Sequence, residues 1–99
     1  MRDTADWTYR RAQLSYEEWN AIEEAFEKSP RLRPIVALLR RSDGFLDFNA
    51  IRAYGLSPMK AQTNVNLKLK TKHFPYRLLC AGENEERFIL FLRTPATRL

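Results

Sequence analysis

A chain of 99 residues is long enough for one domain with a single hydrophobic core. Its apolar content of 44% and charged content of 29% are ordinary for a soluble globular protein. No apolar run approaches the roughly 20 residues that a membrane span needs, and a single cysteine excludes an internal disulfide. The first residues also lack the apolar core of a secretion signal, so we expect a cytoplasmic protein with no membrane partner.

The positive charge is concentrated in the middle of the chain. Residues 1–30 hold four lysines and arginines against seven acids, a net charge of −3. Residues 31–80 hold ten lysines and arginines against two acids, a net charge of +8. A clustered basic surface favours anionic polymers because binding releases their counterions, which makes nucleic acid a candidate partner.

The first predicted element is a helix that starts at Ser15. Residues 1–13 are predicted to form a polar N-terminal arm, with a single domain at 14–94 and a loose terminus at 95–99. Ser15 and Glu18 have the spacing of a capping box, and the helix is expected to run to about Lys28. Its apolar residues fall on one face, which we expect to be buried: Trp19, Ile22 and Phe26.

The opposite side of this helix is acidic, with Glu17, Glu23, Glu24 and Glu27. Paired carboxylates can serve acid–base chemistry or hold a metal, but a solvated helix face explains them better. An acidic helix also suits a protein partner or a homodimer, and that alternative stays open.

Two short elements lead to a turn. A helix is predicted from Pro34 to Arg41, with the core stripe Ile35, Leu38 and Leu39, followed by a short extended link at Phe45-Leu46. Asp47 is then placed to cap a helix from Phe48 to Tyr54, and Gly55 is suited to the left-handed conformation that ends it. Ile51, Tyr54 and Leu56 are expected to supply the buried side of this region.

Ser57 and Pro58 are typical of a helix start, and the segment that follows to Lys72 carries lysines and amides but no acid. As a helix, it would bury Ala61, Val65 and Leu69. The run from Asn64 to Lys70 also alternates polar and apolar residues, as a strand does. We favour the helix because of its start signal and keep the strand as an alternative.

A β-hairpin is predicted at the end of the chain. Its strands are 76–81 and 87–93, joined by a loop at 82–86. The second strand is apolar on both faces, so we expect it to be central in a sheet or covered by helices.

This order of helix, extended link, helix, turn, helix and hairpin resembles a winged helix-turn-helix domain. The resemblance covers about 60 of the 99 residues and includes the Ala50-Ile51 and Tyr54-Gly55-Leu56-Ser57 pattern. It implies an α+β fold with an N-terminal helix, a three-helix core and a C-terminal hairpin "wing". It also implies a DNA-binding protein, a transcriptional regulator, that recognises duplex DNA with the helix after the turn.

The resemblance assigns two groups of site residues. The residues expected to face the bases are Lys60, Thr63, Asn64 and Asn66, since asparagine suits adenine. Those expected to meet phosphates are Lys68, Lys70, Lys72, Arg77 and Arg52.

The wing departs from this pattern because its tip carries Glu83, Glu85 and Glu86, which phosphates would repel. A protein–protein adaptor that uses the acidic first helix and acidic wing is therefore an alternative function. A weaker alternative places single-stranded nucleic acid on a sheet, with Phe74 and Tyr76 as stacking groups beside the Asn/Lys strand.

An enzyme is not expected. His73 is the only histidine and suits a turn or the surface, and Cys80 suits packing in an apolar strand. The three glycines each lie at a turn and form no phosphate-binding loop. We therefore predict no metal, no cofactor and no small-molecule substrate.

Overall fold

The computed structural model describes residues 7–81 and 86–95, which form an α+β protein with four helices and a four-stranded antiparallel sheet. The elements are, in chain order, β1 Trp7–Arg11, α1 Tyr16–Ala25, α2 Arg33–Arg41, β2 Phe45–Asp47, α3 Phe48–Arg52, α4 Pro58–Thr71, β3 Tyr76–Ala81 and β4 Arg87–Pro95.

Strand β4 is the centre of the sheet. It pairs with β3 along one edge, while β1 and β2 share its other edge. Phe45 lies opposite Ile89, and Tyr9 lies opposite Arg93. The prediction that this strand is central is confirmed, and its nine residues give β1 and β2 room to pair along the same edge.

The inner face of the sheet and the four helices enclose one core. Phe88 and Leu90 of β4 are fully buried, as are Phe26, Ile35 and Ile51 from the helical side. Tyr76 joins β3 to α1, because its hydroxyl donates a hydrogen bond to Glu18 Oε2 at 2.9 Å.

Several local predictions are confirmed. Ser15 and Glu18 form both hydrogen bonds of the capping box. His73 is exposed at the turn after α4, where its φ of 65° ends the helix.

Other elements differ from the prediction. The predicted arm contains β1, because Trp7–Arg11 completes an edge that the short strand β2 leaves open beside β4. Phe45–Asp47 is a paired strand and not only an extended link. Tyr54 was expected to be buried but is 51% exposed, because α3 ends at Arg52 and the following turn points its ring outward. Of the predicted loop, 82–85 lies outside the described residues.

Candidate nucleic-acid interface

The segment after Ser57 is a helix of 14 residues, α4, as the favoured prediction stated. Ser57 Oγ accepts a bond from the Lys60 N–H, and Pro58 lies in the first turn. Ala61, Val65 and Leu69 are at most 3% exposed, so the predicted buried stripe is confirmed. The strand alternative for this segment is wrong, because helical packing buries these apolar residues on one side while the polar ones spread around the rest.

The side of α4 that faces solvent carries polar, cationic and apolar groups. Lys60, Thr63, Asn64 and Lys70 are exposed, and so is Lys72 at the C-terminal cap. Met59 and Leu67 lie among them with 53% and 61% of their surface exposed. The Thr63 hydroxyl donates to the Met59 carbonyl at 3.0 Å. Four of the predicted contact residues, with Lys72 at the end, are therefore gathered on one surface.

Asn66 is half-buried at the edge of that surface, and both polar atoms of its side chain are already bonded to β3. Its Nδ2 donates to the Leu78 carbonyl at 2.9 Å, and its Oδ1 accepts from the Leu78 N–H at 2.7 Å. Gln62 Nε2 donates to the same carbonyl at 2.9 Å. These amides satisfy backbone groups of β3 on the edge away from β4, where an unpaired strand edge would otherwise lie. Asn66 therefore holds α4 against the sheet.

The remaining predicted phosphate contacts are dispersed. Lys68 is half-buried, and its Nζ lies 5.9 Å from the ring centre of Phe26, on the side of α4 that turns toward α1. Arg52 lies on α3 and donates to Asn49 Oδ1 at 3.0 Å. Arg77 is half-buried on β3. The structure thus brings these residues to three different elements and not to one row.

Arg77 belongs to a second group of side chains, which local sequence patterns did not predict. It lines a groove between α4 and the outer face of the sheet, together with Tyr9 of β1 and Arg93 of β4. The alternation of Trp7-Thr8-Tyr9-Arg10, with its aromatic and β-branched residues, is a strand signal that would have indicated this contribution from β1.

The acidic side of α1 faces α2. A cleft of about 780 Å³ between the two helices is lined by Glu17, Glu23 and Glu24 of α1, by Glu27 in the turn after it and by Arg33 of α2. An ion pair joins these two helices, with Arg40 Nη1 at 2.6 Å from Glu23 Oε1. The acidic and basic surfaces therefore lie on different elements, as the charge distribution along the chain indicated.

The two rings that were expected to stack on single-stranded nucleic acid are buried or half-buried. Tyr76 is only 7% exposed and bonded to Glu18, and Phe74 is half-buried with its ring centre 6.2 Å from that of Tyr76. Both rings are used in packing.

Comparisons with protein-family models, curated proteins and solved structures found no match for this chain. None of the helices in the described part of the chain combines the length and apolar character needed to cross a membrane.

Proposed function

We propose that this protein is a small cytoplasmic DNA-binding protein, a transcriptional regulator of the winged helix-turn-helix type. In this proposal α2, α3 and α4 are the three core helices, β2 is the strand between the first two, and β3 and β4 form the wing. The antiparallel order β2, β4, β3 and the short connection at 53–57 between α3 and α4 support that assignment.

The observation that carries the proposal is the exposed side of α4. From Phe48 to Ala81 the sequence has no acidic residue, so no carboxylate within this stretch neutralises Lys60, Lys70 or Lys72. Lysines meet phosphates, and the exposed Asn64 amide can form a bidentate pair with adenine in the major groove. A helix of 14 residues is about 21 Å long, and an α-helix fits the width of that groove.

The experiment is a binding titration with a fluorescent random duplex of about 20 base pairs at low salt. The double variant Lys60→Gln with Lys70→Gln is compared with Lys28→Gln with Arg33→Gln, which removes the same charge from the α1–α2 side. We expect the first pair to weaken binding at least tenfold and the second pair to leave it within twofold. Equal losses for both pairs, or no binding by the wild type, would reject a specific role for α4.

The cleft between α1 and α2 favours a second candidate, the protein–protein adaptor. Four glutamates around an apolar floor, which includes Val36 and Ala37, would suit a basic amphipathic segment of another protein. In that case a partner stays bound after nuclease treatment, and Glu24→Gln with Glu27→Gln releases it while the α4 variants do not.

A further inference from the structure

A cationic groove lies where α4 meets the outer face of the sheet. It has a volume of about 390 Å³. The side chains that matter for its chemistry are Tyr9, Leu67, Lys70, Arg77, Leu79 and Arg93. Three of the six are cationic, and no carboxylate appears among the described residues that line the groove.

The strand register explains why these residues meet. Leu79 lies opposite Ile89, Arg77 opposite Phe91, and Tyr9 opposite Arg93. Alternation places every second residue of β4 on the same face, so all of these side chains lie on the outer face while Phe88 and Leu90 lie in the core. The amide contacts of Asn66 and Gln62 to β3 then hold α4 beside this face.

The Arg77 side chain is held in a fixed direction within the groove. Arg77 Nη1 donates to the carbonyls of Phe74 and Tyr76 at 2.9 and 2.6 Å, which fixes the direction of the side chain. Partial burial lowers the pKa of Arg77, and the charge of Arg93 lowers that pKa further. A negative group bound in the groove would offset both effects, because it interacts favourably with a cation.

The groove is also apolar in part. Leu67 is 61% exposed and Tyr9 38% exposed, and Leu79 is half-buried beside them. A simple inorganic anion would leave these surfaces in water. A sugar–phosphate strand fits better, since it offers a phosphate to the cations and an apolar deoxyribose face to the leucines and the tyrosine ring.

We propose that this groove holds a sugar–phosphate strand of the DNA that α4 contacts, so that strand β1, through Tyr9, is part of the interface. The inference rests on the proposed function. Thr63 and Lys70 support it because they are exposed on α4 and also line the groove, which makes the two surfaces continuous. A DNA strand leaving the helix would therefore enter the groove directly.

The first test is photocrosslinking with p-benzoylphenylalanine in place of Tyr9, Lys60 or Tyr16, each in the full chain with the same random duplex. Tyr16 is the matched control, since it is a tyrosine 70% exposed on the acidic helix α1. We expect crosslinks at positions 9 and 60 and not at 16. Crosslinking at position 60 alone overturns this inference but leaves the proposed function standing. Absence of crosslinks at both position 9 and position 60 contradicts the inference and the proposed function together. Equal crosslinking of a polyglutamate peptide at position 9 would show a general anion site and also overturns the inference.

The second test is the salt dependence of duplex binding for Arg93→Gln, Arg93→Lys and Arg33→Gln. Loss of one phosphate contact should make the negative slope of log K against log salt less steep by about 0.9. We expect the less steep slope for Arg93→Gln, the wild-type slope for Arg93→Lys, and the wild-type slope for Arg33→Gln. Amide NMR spectra of each variant establish that it is folded; an unchanged slope in folded Arg93→Gln contradicts the inference.

Discussion

Replacing Asn66 by alanine separates a structural role from a role in DNA recognition. The change removes both hydrogen bonds to Leu78, a residue that is 1% exposed. The Leu78 carbonyl keeps its bond from Gln62, whereas the Leu78 N–H loses the amide oxygen that accepts from it. Leaving one buried donor without a partner costs about 1–3 kcal/mol, so we expect the free energy of unfolding to fall by that amount.

Asn64→Ala is the matched control, because Asn64 lies on the same helix and is exposed. Both substitutions gain the same helix propensity, so the difference between the two isolates the contact with β3. Gln62→Ala should cost less than Asn66→Ala, since Asn66 still serves the shared carbonyl. Urea denaturation supplies the midpoints and slopes.

The two asparagines should also differ in DNA binding, in the opposite direction. Under conditions where both variants are folded, we expect Asn64→Ala to weaken duplex binding and Asn66→Ala to leave it nearly unchanged. Equal unfolding midpoints for the two variants would refute the structural role of Asn66. A selective loss of DNA binding in Asn66→Ala would restore the role that its sequence position indicated.

Three further predictions concern the core and its ionisable contacts. Leu69→Ala should lower the free energy of unfolding, measured by urea denaturation, by about 2–5 kcal/mol because it empties a buried site. Leu67→Ala on the exposed side should change it by less than about 0.5 kcal/mol. Similar losses for the two variants would contradict the orientation of α4. Burial and the Glu18 hydrogen bond raise the pKa of Tyr76 from 10.0 to about 12, so its contribution to stability is complete below pH 10 and is lost as the pH rises toward 12. Tyr76→Phe should remove that alkaline loss, and Tyr54→Phe should keep it, when melting temperatures are measured across this range. At the acid end, hydrogen bonds from the backbone N–H of Ser15 and from the Tyr76 hydroxyl hold the pKa of Glu18 below its ordinary value. Stability should therefore fall as the pH drops through that lowered pKa, and Glu18→Gln should weaken this acid dependence.

Short-range signals predicted the elements well where local chemistry decides the structure. The start of α4 follows from Ser57 and Pro58, and the capping box follows from Ser15 and Glu18, because each acts within one helical turn. The central place of β4 was also predictable, since a strand that is apolar on both faces must be covered on both. The winged-helix assignment, in contrast, stays a proposal that rests on element order.

Long-range contacts explain what the sequence did not predict. Asn66 is an ordinary polar residue beside the buried stripe of α4, and only the position of the β3 edge gives its amide a fixed partner. Tyr9 and Arg93 are 84 residues apart in the chain and meet through the pairing of β1 with β4. The groove that they line could not be assembled from local spacing, because it depends on which strand fills the edge next to β2.

The most direct test of the central claim is the affinity of the wild-type protein for a random duplex, measured at several salt concentrations. If Lys60, Lys70 and Lys72 each neutralise a phosphate, the slope of log K against log salt should be about −2.7 or steeper. Failure to bind at low salt, or a slope near zero, would contradict the account, because the exposed side of α4 would then not meet a polyanion.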